Sequence, residues 1–331
     1  MDSYYLRNRD FFRVLPTVIL CGADPGSWAV MHPFGEFLRK KGHDCRFLLD
    51  GWAREHAAQN LVSTEIVSRK AIEKFSGSAL LVYGARQLFS KNYEMISHSR
   101  DAGIETLFVF DSWKNYLINF RDPSDGSMYL PSRIAVVDER MKEGVLKALS
   151  GYADEDLEKR VDILGHPAID NSVAYIRQLT GERISTLKSR YNGEGSGILK
   201  LFVMEPIRED FSMVNGMDLG YDEQSILDYF LTRCCRGDEK ILVKVHPRQS
   251  REEVQALLHD ARRAEAGNAV QVVSEEKIEN LIAIADEVYG MTSVALHVAI
   301  RCGKKVHSIQ VGRNEQGKSI SNPDLEACLI A

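Results

Sequence analysis

The sequence is poor in cysteine, and none of its six cysteines forms a C-x-x-C pair. Structural zinc sites and thioredoxin-like redox motifs space their cysteines in that way, so we expect a reduced protein without a metal site. Long apolar runs are also missing, and no stretch approaches the roughly 20 residues that span a bilayer. Residues 1–14, MDSYYLRNRDFFRV, mix charges with aromatic side chains and lack the apolar core of a signal peptide. The sequence therefore predicts a cytoplasmic protein.

An excess of charge of one sign is absent as well. The 42 basic and 47 acidic residues leave a formal net charge of −5. This balance gives no general attraction to nucleic acid or to acidic membranes, although it leaves room for a local basic site. With 44% apolar and 27% charged residues, the composition is typical of a soluble globular protein. A chain of 331 residues can bury a large core and favours two domains.

What the sequence does contain is an alternation of short β-rich runs with longer helical stretches. In the first half, the runs that predict strands lie at 14–22, 44–50, 78–84, 105–112, 132–138 and 161–167. Helical patterns lie at 29–42, 64–75, 87–101 and 139–149. The strand runs are continuously apolar, which is typical of a parallel sheet that helices cover on both faces.

The same rhythm restarts after residue 170, with a helix at 171–191. Further strands are predicted at 198–205, 240–247, 268–274, 286–290 and 304–312, and further helices at 221–235, 250–264, 275–285 and 292–303. Ser250 and Glu253 form a capping-box pattern, and Gly303 stands where a glycine would end a helix. We predict an α/β protein with two Rossmann-like domains facing across a cleft, residues 1–168 and 169–331.

Functional side chains are expected beyond the carboxyl ends of the strands, because open α/β sheets bind ligands there. In the segment CGADPGS (21–27), Gly22 and Gly26 allow a sharp turn whose N–H groups and Ser27 hydroxyl can approach a ligand. Asp24 is a candidate general base. The segment is neither G-x-G-x-x-G nor a P-loop, and an ordinary strand-to-helix turn is the competing interpretation.

Two other segments of the first half carry candidates. Asp111 ends the fourth predicted strand and Trp113 follows it. A carboxylate beside an aromatic ring suits a sugar or another acceptor, with Asp111 as a second candidate base, and packing of the ring is the alternative. His166 lies in GHPAID (165–170), where the first half hands over to the second. We expect hinge geometry there, with His166 on the cleft wall as a substrate-binding residue.

In the second half, the segment MEPIRED (204–210) places Glu205 at a strand end, followed by Arg208, Glu209 and Asp210. These residues form either an acid/base cluster or a solvated loop.

The segment KILVKVHPR (240–248) ends a predicted strand with Lys244, His246 and Arg248. Lys244 and His246 share one face of the strand because side chains alternate with a period of two. An imidazole and nearby cations at a strand end suit a phosphate, and a histidine in a tight turn without a ligand is the alternative. Thr292 and Ser293 open a later helix, either as an anion site or simply as N-caps.

Taken together, these segments resemble the glycosyltransferase B superfamily. The second half is similar to the donor-binding domain of bacterial sialyl-, polysialyl- and Kdo transferases and of teichoic acid glycerophosphotransferases, through His246-Pro247 and Thr292-Ser293. The resemblance implies that this histidine and the hydroxyl pair bind the phosphates of a CMP- or CDP-activated donor. The first half, with Gly165, Pro167 and Asp170 at the junction, resembles the UDP-N-acetylglucosamine 2-epimerases.

The resemblance implies a metal-independent, inverting glycosyltransferase that uses a CMP-, CDP- or UDP-linked sugar in surface or secondary glycan synthesis and needs no cofactor. Residues 1–168 would take the acceptor, a glycan or a small molecule, and residues 169–331 the donor. The alternatives are a UDP-sugar 2-epimerase or hydrolase and a non-catalytic nucleotide-sugar-binding protein. No nucleic-acid partner is expected, and a homodimer is left open.

The expected catalytic residues are Asp24, Asp111 and His246. The expected substrate-binding residues are Gly22, Gly26, Ser27, Trp113, His166, Glu205, Arg208, Lys244, Arg248, Thr292 and Ser293.

Overall fold

A computed structural model gives the fold of the protein. It describes residues 1–15, 17–59, 62–66, 68–75, 79–84, 98–111, 113, 116–121, 125–152, 156–192, 197–208, 221–235, 239–261 and 269–309. The chain forms two compact units, Met1–Ala168 and Ile169–Ala331.

The first unit is built on a parallel sheet of seven strands among its described residues. They are Thr17–Gly22 (β1), Asp44–Leu49 (β2), Glu65–Ile66 (β3), Ala79–Gly84 (β4), Glu105–Val109 (β5), Arg133–Val136 (β6) and Val161–Ile163 (β7). The strand order is β3-β2-β1-β4-β5-β6-β7. The direction of winding therefore reverses between β1 and β4, and such a switch point leaves a crevice at the carboxyl ends of the two strands.

Helices cover this sheet on both faces. They are Asp2–Arg7 (α1), Arg9–Arg13 (α2), Pro25–Lys40 (α3), Gly51–Gln59 (α4), Arg69–Glu73 (α5), Glu139–Leu149 (α6) and Leu157–Arg160 (α7). Successive residues of β1 point to opposite faces, so Val18 and Leu20 enter one core cluster while Ile19 and Cys21 enter the other. The continuous apolar run of this strand therefore fills two cores.

The second unit repeats the architecture with five parallel strands among its described residues. They are Leu199–Val203 (β8), Lys240–Lys244 (β9), Ala269–Val273 (β10), Glu287–Gly290 (β11) and Lys305–Ser308 (β12), in the order β10-β9-β8-β11-β12. The helices are Pro167–Gln178 (α8), Gly181–Asn192 (α9), Glu223–Tyr229 (α10), Arg251–Ala261 (α11), Ile278–Ile284 (α12) and Val294–Arg301 (α13). The switch point of this sheet lies between β8 and β11.

Several sequence-based predictions are confirmed in detail. Helix α6 has the predicted bounds. In the capping box before α11, the Ser250 hydroxyl accepts from the Glu253 N–H at 3.1 Å, and the Glu253 carboxylate accepts from the Ser250 N–H at 2.6 Å. Gly303 follows α13 with a φ of +73°, a left-handed conformation that favours glycine.

Other predictions are wrong or only partly right. The single helix predicted at 171–191 is two helices, α8 and α9, because Thr180 caps a new helix by accepting from the Arg183 N–H at 3.2 Å. The helix predicted at 64–75 is the short strand β3 followed by α5, which Ser68 caps. Of the helix predicted at 87–101, residues 98–101 are helical, and residues 87–97 lie outside the described part of the chain. Residues 310–312 of the last predicted strand lie outside it as well.

A buried lysine lies at the amino end of the second sheet. The Lys200 side chain, only 6% exposed, lies with Nζ 2.8 Å from a carboxylate oxygen of Glu239 and 3.7 Å from one of Glu287. It donates to the carbonyl of Cys234 at 2.5 Å and lies 5.6 Å from the centre of the Tyr289 ring. Because Glu239 is itself buried, the pair supports the unit only while both charges are present.

We expect Lys200→Met to lower the free energy of unfolding of the second unit by about 3–5 kcal/mol, because it leaves the Glu239 charge buried without its cation. Urea unfolding followed by far-UV circular dichroism measures the loss. The matched control is Lys159→Met, since the ion pair of Lys159 with Asp156 is exposed and its removal should leave the transition in place. Adding Glu239→Gln to Lys200→Met should restore part of the loss. A Lys200→Met transition equal to that of the wild type would contradict this account.

Candidate functional site

The loops that follow β9, β8 and β11 lie side by side, because the three strands are neighbours in the second sheet. They carry His246, Glu205 and Thr292-Ser293, which the sequence had placed at the ends of three separate runs. The parallel topology therefore brings most of the second-half candidates to one edge, at the switch point of the sheet.

His246 begins a tight turn. Its carbonyl accepts from the Gln249 N–H at 2.9 Å, and Pro247 takes the second position of the turn, where its fixed φ is favoured. Nδ1 of His246 accepts from the backbone N–H of Arg248 at 3.2 Å. Since Nδ1 accepts, the ring hydrogen of the neutral imidazole is on Nε2. The tight turn at His246, predicted as the alternative to a phosphate site, is therefore present in the structure. It fixes the tautomer of His246 in which Nε2–H can donate to a ligand.

The charge state of this strand end is set by burial. Burial, with smaller effects of Arg248 and Lys244, lowers the pKa of His246 to about 3, so the ring is neutral at physiological pH. Lys244 donates from Nζ to the carbonyl of Ser274 at 2.5 Å. Burial lowers the pKa of Lys244 as well, against the opposing effect of Glu275 and other nearby carboxylates. His246 is therefore a neutral hydrogen-bond donor here, and the Lys244 ammonium group is tied to the neighbouring loop.

We expect His246 to make the protein less stable as the pH falls from about 6.5 towards about 3. The folded pKa lies below the ordinary value, so in this window the unfolded chain binds a proton that the folded chain does not. His246→Gln cannot titrate and should lose less stability than the wild type between pH 7.5 and pH 5. Urea midpoints at the two pH values measure the difference. His259→Gln is the control, because His259 is exposed on α11. An equal loss in the wild type and His246→Gln would contradict a buried, neutral His246.

Glu205 crosses the switch point. Its carboxylate, in a residue that is 8% exposed, accepts from the backbone N–H groups of Met291 and Thr292 at 3.1 and 2.7 Å and from the Thr292 hydroxyl at 2.6 Å. The carboxylate thus accepts from the N–H and hydroxyl groups of Thr292, which the sequence suggested as donors to a phosphate. Ser293 is the N-cap of α13, with its hydroxyl accepting from the Ala295 N–H at 3.3 Å. Glu205 fixes the loop in front of α13, and Ser293 lies at the mouth of that helix.

Arg208 is placed on a different set of partners. Its guanidinium group forms an ion pair with Asp222, the N-cap of α10, and its backbone N–H donates to the buried carboxylate of Glu223 at 3.2 Å. Arg208 therefore joins the loop after β8 to α10. Glu209 and Asp210, the other charged residues of the predicted cluster, lie outside the described residues.

In the first unit, the turn after β1 is a helix cap. Oδ1 of Asp24 accepts from the Ser27 N–H at 2.7 Å, and the Ser27 hydroxyl accepts from the Asp24 N–H at 3.2 Å, which completes a capping box for α3. A side chain on Gly22 would place its Cβ 3.0 Å from the Ser27 hydroxyl. The alternative to a ligand-binding loop, an ordinary strand-to-helix turn, is therefore what the structure shows. Asp24 and Ser27 cap the helix in that turn.

Asp111 lies against the same turn. A Cβ built on Gly26 would overlap Oδ2 of Asp111 and would stand 3.6 Å from Oδ1 of Asp24, so both candidate carboxylates lie near the first turn of α3. This position is beside the β1/β4 switch point and within reach of the positive end of a 16-residue helix, which stabilises an anion. The absence of a side chain at Gly26 is what allows Asp111 to come this close.

His166 and Trp113 are engaged within the first unit. His166, only 3% exposed, has its Nε2 3.0 Å from the backbone carbonyl of Asp111. Trp113 donates from Nε1 to Oδ2 of Asp138 at 3.0 Å and packs against the core. The alternative of packing therefore describes Trp113. Asp138 was missed as a partner, although its place between a predicted strand and a predicted helix marks it as an N-cap.

We expect Gly26→Ala to lower the free energy of unfolding by about 1–3 kcal/mol, because the new methyl group overlaps the Asp111 carboxylate. Chemical unfolding measures the change. Gly181→Ala is the matched control, since Gly181 also lies in the first turn of a helix and a Cβ there meets nothing within 4 Å. The control should be neutral or slightly stabilising. If both variants unfolded like the wild type, the close approach of Asp111 would be wrong.

In the part of the chain that the structure describes, no helix is long and apolar enough to cross a membrane. No group of three or more histidine, cysteine, aspartate or glutamate side chains within that part of the chain could hold a metal ion.

Part of the chain matches a known protein family, and its fold is similar to those of solved structures. Residues 207–302 match the model of the alpha-2,8-polysialyltransferase family, and this span includes His246, Pro247, Thr292 and Ser293. The fold is similar to that of a glycosyltransferase from Rickettsia africae, with a TM-score of 0.61, 12% identity and coverage of 90% of this chain and 80% of that one. The chain has the glycosyltransferase B fold. The predicted α/β class is thereby confirmed, and the resemblance to this superfamily is confirmed at the level of the fold.

Two further structures share the fold. Anabaena HepE in complex with UDP-glucose has a TM-score of 0.59 and 12% identity, with coverage of 88% of this chain and 79% of that one. The UDP-GlcNAc 2-epimerase of Neisseria meningitidis, bound to UDP-GlcNAc, has a TM-score of 0.60 and 12% identity, with coverage of 94% and 85%. The predicted likeness to the 2-epimerases is confirmed at the level of the fold. A search of curated protein sequences found no match.

Proposed function

We propose that the protein is an inverting glycosyltransferase whose nucleotide-sugar donor binds at the carboxyl edge of the second sheet. The observation that carries the proposal is the His246-Pro247 turn. It presents a neutral Nε2–H donor at the same carboxyl edge of the second sheet as the loop that leads into α13, within the segment that matches the polysialyltransferase family. The second unit is then the donor unit and the first unit the acceptor unit.

In this proposal the donor phosphate lies between His246 and Ser293. Negative charge grows on the phosphate as the bond to the sugar breaks, and hydrogen-bond donors that are already oriented stabilise that charge without reorganising. Nε2–H of His246, the Ser293 hydroxyl and the N-terminus of α13 are such donors. We propose that they do this without a divalent metal ion. With its pKa at about 3, His246 acts by donating a hydrogen bond, and proton release by an imidazolium is not required of it.

The electrostatics favour a donor with a single phosphate. Glu205 brings a buried carboxylate to this edge, His246 is neutral, and the ammonium group of Lys244 is held at the Ser274 carbonyl. A second phosphate would add another negative charge near the Glu205 carboxylate in a half-buried setting, where repulsion is strong. We therefore propose a CMP-linked sugar in preference to a UDP- or CDP-linked one, which agrees with the polysialyltransferase match.

Asp111 is the proposed general base. It lies at the carboxyl edge of the first sheet beside the β1/β4 switch point, where an acceptor hydroxyl can approach a carboxylate. Asp24 is the weaker candidate, because its Oδ1 accepts from the Ser27 N–H as part of the cap of α3. The proposed acceptor is a hydroxyl-bearing glycan or small molecule.

A UDP-sugar 2-epimerase is the second candidate, favoured by the fold shared with the Neisseria meningitidis enzyme. An acid or base near the sugar would have to come from Glu205 or another carboxylate. Glu205 accepts from two N–H groups and a hydroxyl, which makes it a structural anchor. Incubation with UDP-GlcNAc and CMP-sialic acid in the absence of an acceptor separates the two functions, because a converted sugar with free UDP would support the epimerase.

We expect CMP to raise the melting temperature more than UDP does at equal concentration, because a ligand that binds only the folded state stabilises it. His246→Ala and Ser293→Ala should each weaken CMP binding about 10- to 100-fold in calorimetry, the effect of losing a hydrogen bond to a charged group. His259→Ala, on the exposed face of α11, should leave binding unchanged. Unaltered binding in His246→Ala would refute the proposed site, and a failure of every nucleotide to bind would favour a non-catalytic protein.

A further inference from the structure

The segment that carries Asp111 is anchored on both sides. Before it, the Phe110 N–H donates to the carbonyl of Ala135 at 3.0 Å and extends the pairing of β5 with β6. At Asp111 itself, the backbone carbonyl lies 3.0 Å from Nε2 of His166. A carbonyl can only accept, so the His166 ring carries its hydrogen on Nε2.

The second anchor follows two residues later. Nε1–H of Trp113 donates to Oδ2 of Asp138 at 3.0 Å. The other oxygen of Asp138 accepts from the Met141 N–H at 2.8 Å and caps α6. Trp113 is therefore attached to the start of a helix that is packed into the core. The segment that carries Asp111 is held by His166 at Asp111 itself and by Asp138 at Trp113, so Asp111 has little freedom to shift.

The anchors themselves are held firmly. His166 is 3% exposed, and Gly165 before it turns the chain with a φ of +88°, which a larger residue adopts only with strain. Pro167 after it starts α8 with a fixed φ. The backbone of His166 is thus held between a glycine with a positive φ and a proline with a fixed φ. This restraint helps to keep the imidazole in place as a hydrogen-bond donor.

We propose that His166 and Trp113 are positioning residues that hold Asp111 for proton abstraction from the acceptor. This inference rests on the proposed glycosyl transfer, in which Asp111 is the general base. A base must lie within hydrogen-bond reach of the proton that it takes, and a shift of about 1 Å can cost about 100-fold in rate. The Asp111 carboxylate lies against Gly26 in the first turn of α3, so a shift of the Asp111 backbone would move the carboxylate away from this position.

The test compares His166→Leu, which removes the donor at similar volume, with His166→Gln, whose amide can donate in its place. Trp113→Phe removes the second hydrogen bond and keeps an aromatic ring. We expect kcat to fall about 10- to 100-fold in His166→Leu and less in Trp113→Phe, with the KM for the donor unchanged. His166→Gln should recover most of the rate. Tyr83→Phe is the matched control, since Tyr83 is buried on the neighbouring strand β4 and its hydroxyl has no hydrogen-bond partner among the described residues.

A second measurement does not depend on turnover. In protein labelled with ¹³C at aspartate carboxyl groups, with Asp111→Asn to assign the signal, the titration of Asp111 should change in His166→Leu and Trp113→Phe and return towards the wild type in His166→Gln. An Asp111 signal that is the same in all folded variants would overturn the positioning roles, even if the protein proved to be a transferase. An altered signal in a protein that transfers no sugar would support the positioning and refute the proposed reaction.

Discussion

The parallel pairing of strands around β1 and β8 is the constraint on which the rest of the structure depends. In each sheet the first strand of the chain lies inside the sheet and later strands are added on both sides of it. Because all these strands are parallel, their carboxyl ends meet at one edge. Residues that are far apart in sequence, such as Glu205 and Thr292, become neighbours there without any local sequence signal. The same geometry brings Asp111 to the turn between β1 and α3.

The two edges differ in what they can bind. At the second sheet, the donors are backbone N–H groups, a neutral imidazole and a hydroxyl, with the Glu205 carboxylate already bound among them. In the function proposed above, such an edge recognises a weakly charged anion by the direction of its hydrogen bonds more than by net charge. At the first sheet, two carboxylates lie near one helix N-terminus, which suits proton transfer from a neutral hydroxyl group.

The strands were the part of the fold that the sequence predicted best, because a continuously apolar run of five or six residues has few other uses. Helix α4 was missed, since it buries only small residues, Ala53 and Ala57, and carries no clear apolar stripe. The break between α8 and α9 depends on the capping by Thr180, which competes with an otherwise helical pattern.

The candidate site was predictable as a set of strand ends, but the partners within it were not. The period of two placed Lys244 and His246 on one face, yet it could not show that Lys244 is bound to Ser274. The motif Thr292-Ser293 looked like two equivalent hydroxyl groups. Pairing with Glu205 separates their roles, and that pairing depends on a contact between residues 87 positions apart.

The link between His166 and the Asp111 carbonyl also bears on how such a chain can be recombined. The histidine lies just before the boundary at Ala168, at the very end of the first unit, and yet it belongs to the surroundings of Asp111. A chimera joined ahead of Gly165 would import a foreign residue into the first unit, whereas one joined after Ala168 would keep the first unit whole. Exchange of second units between relatives with this fold is therefore favoured at a crossover that follows the Gly-His-Pro segment.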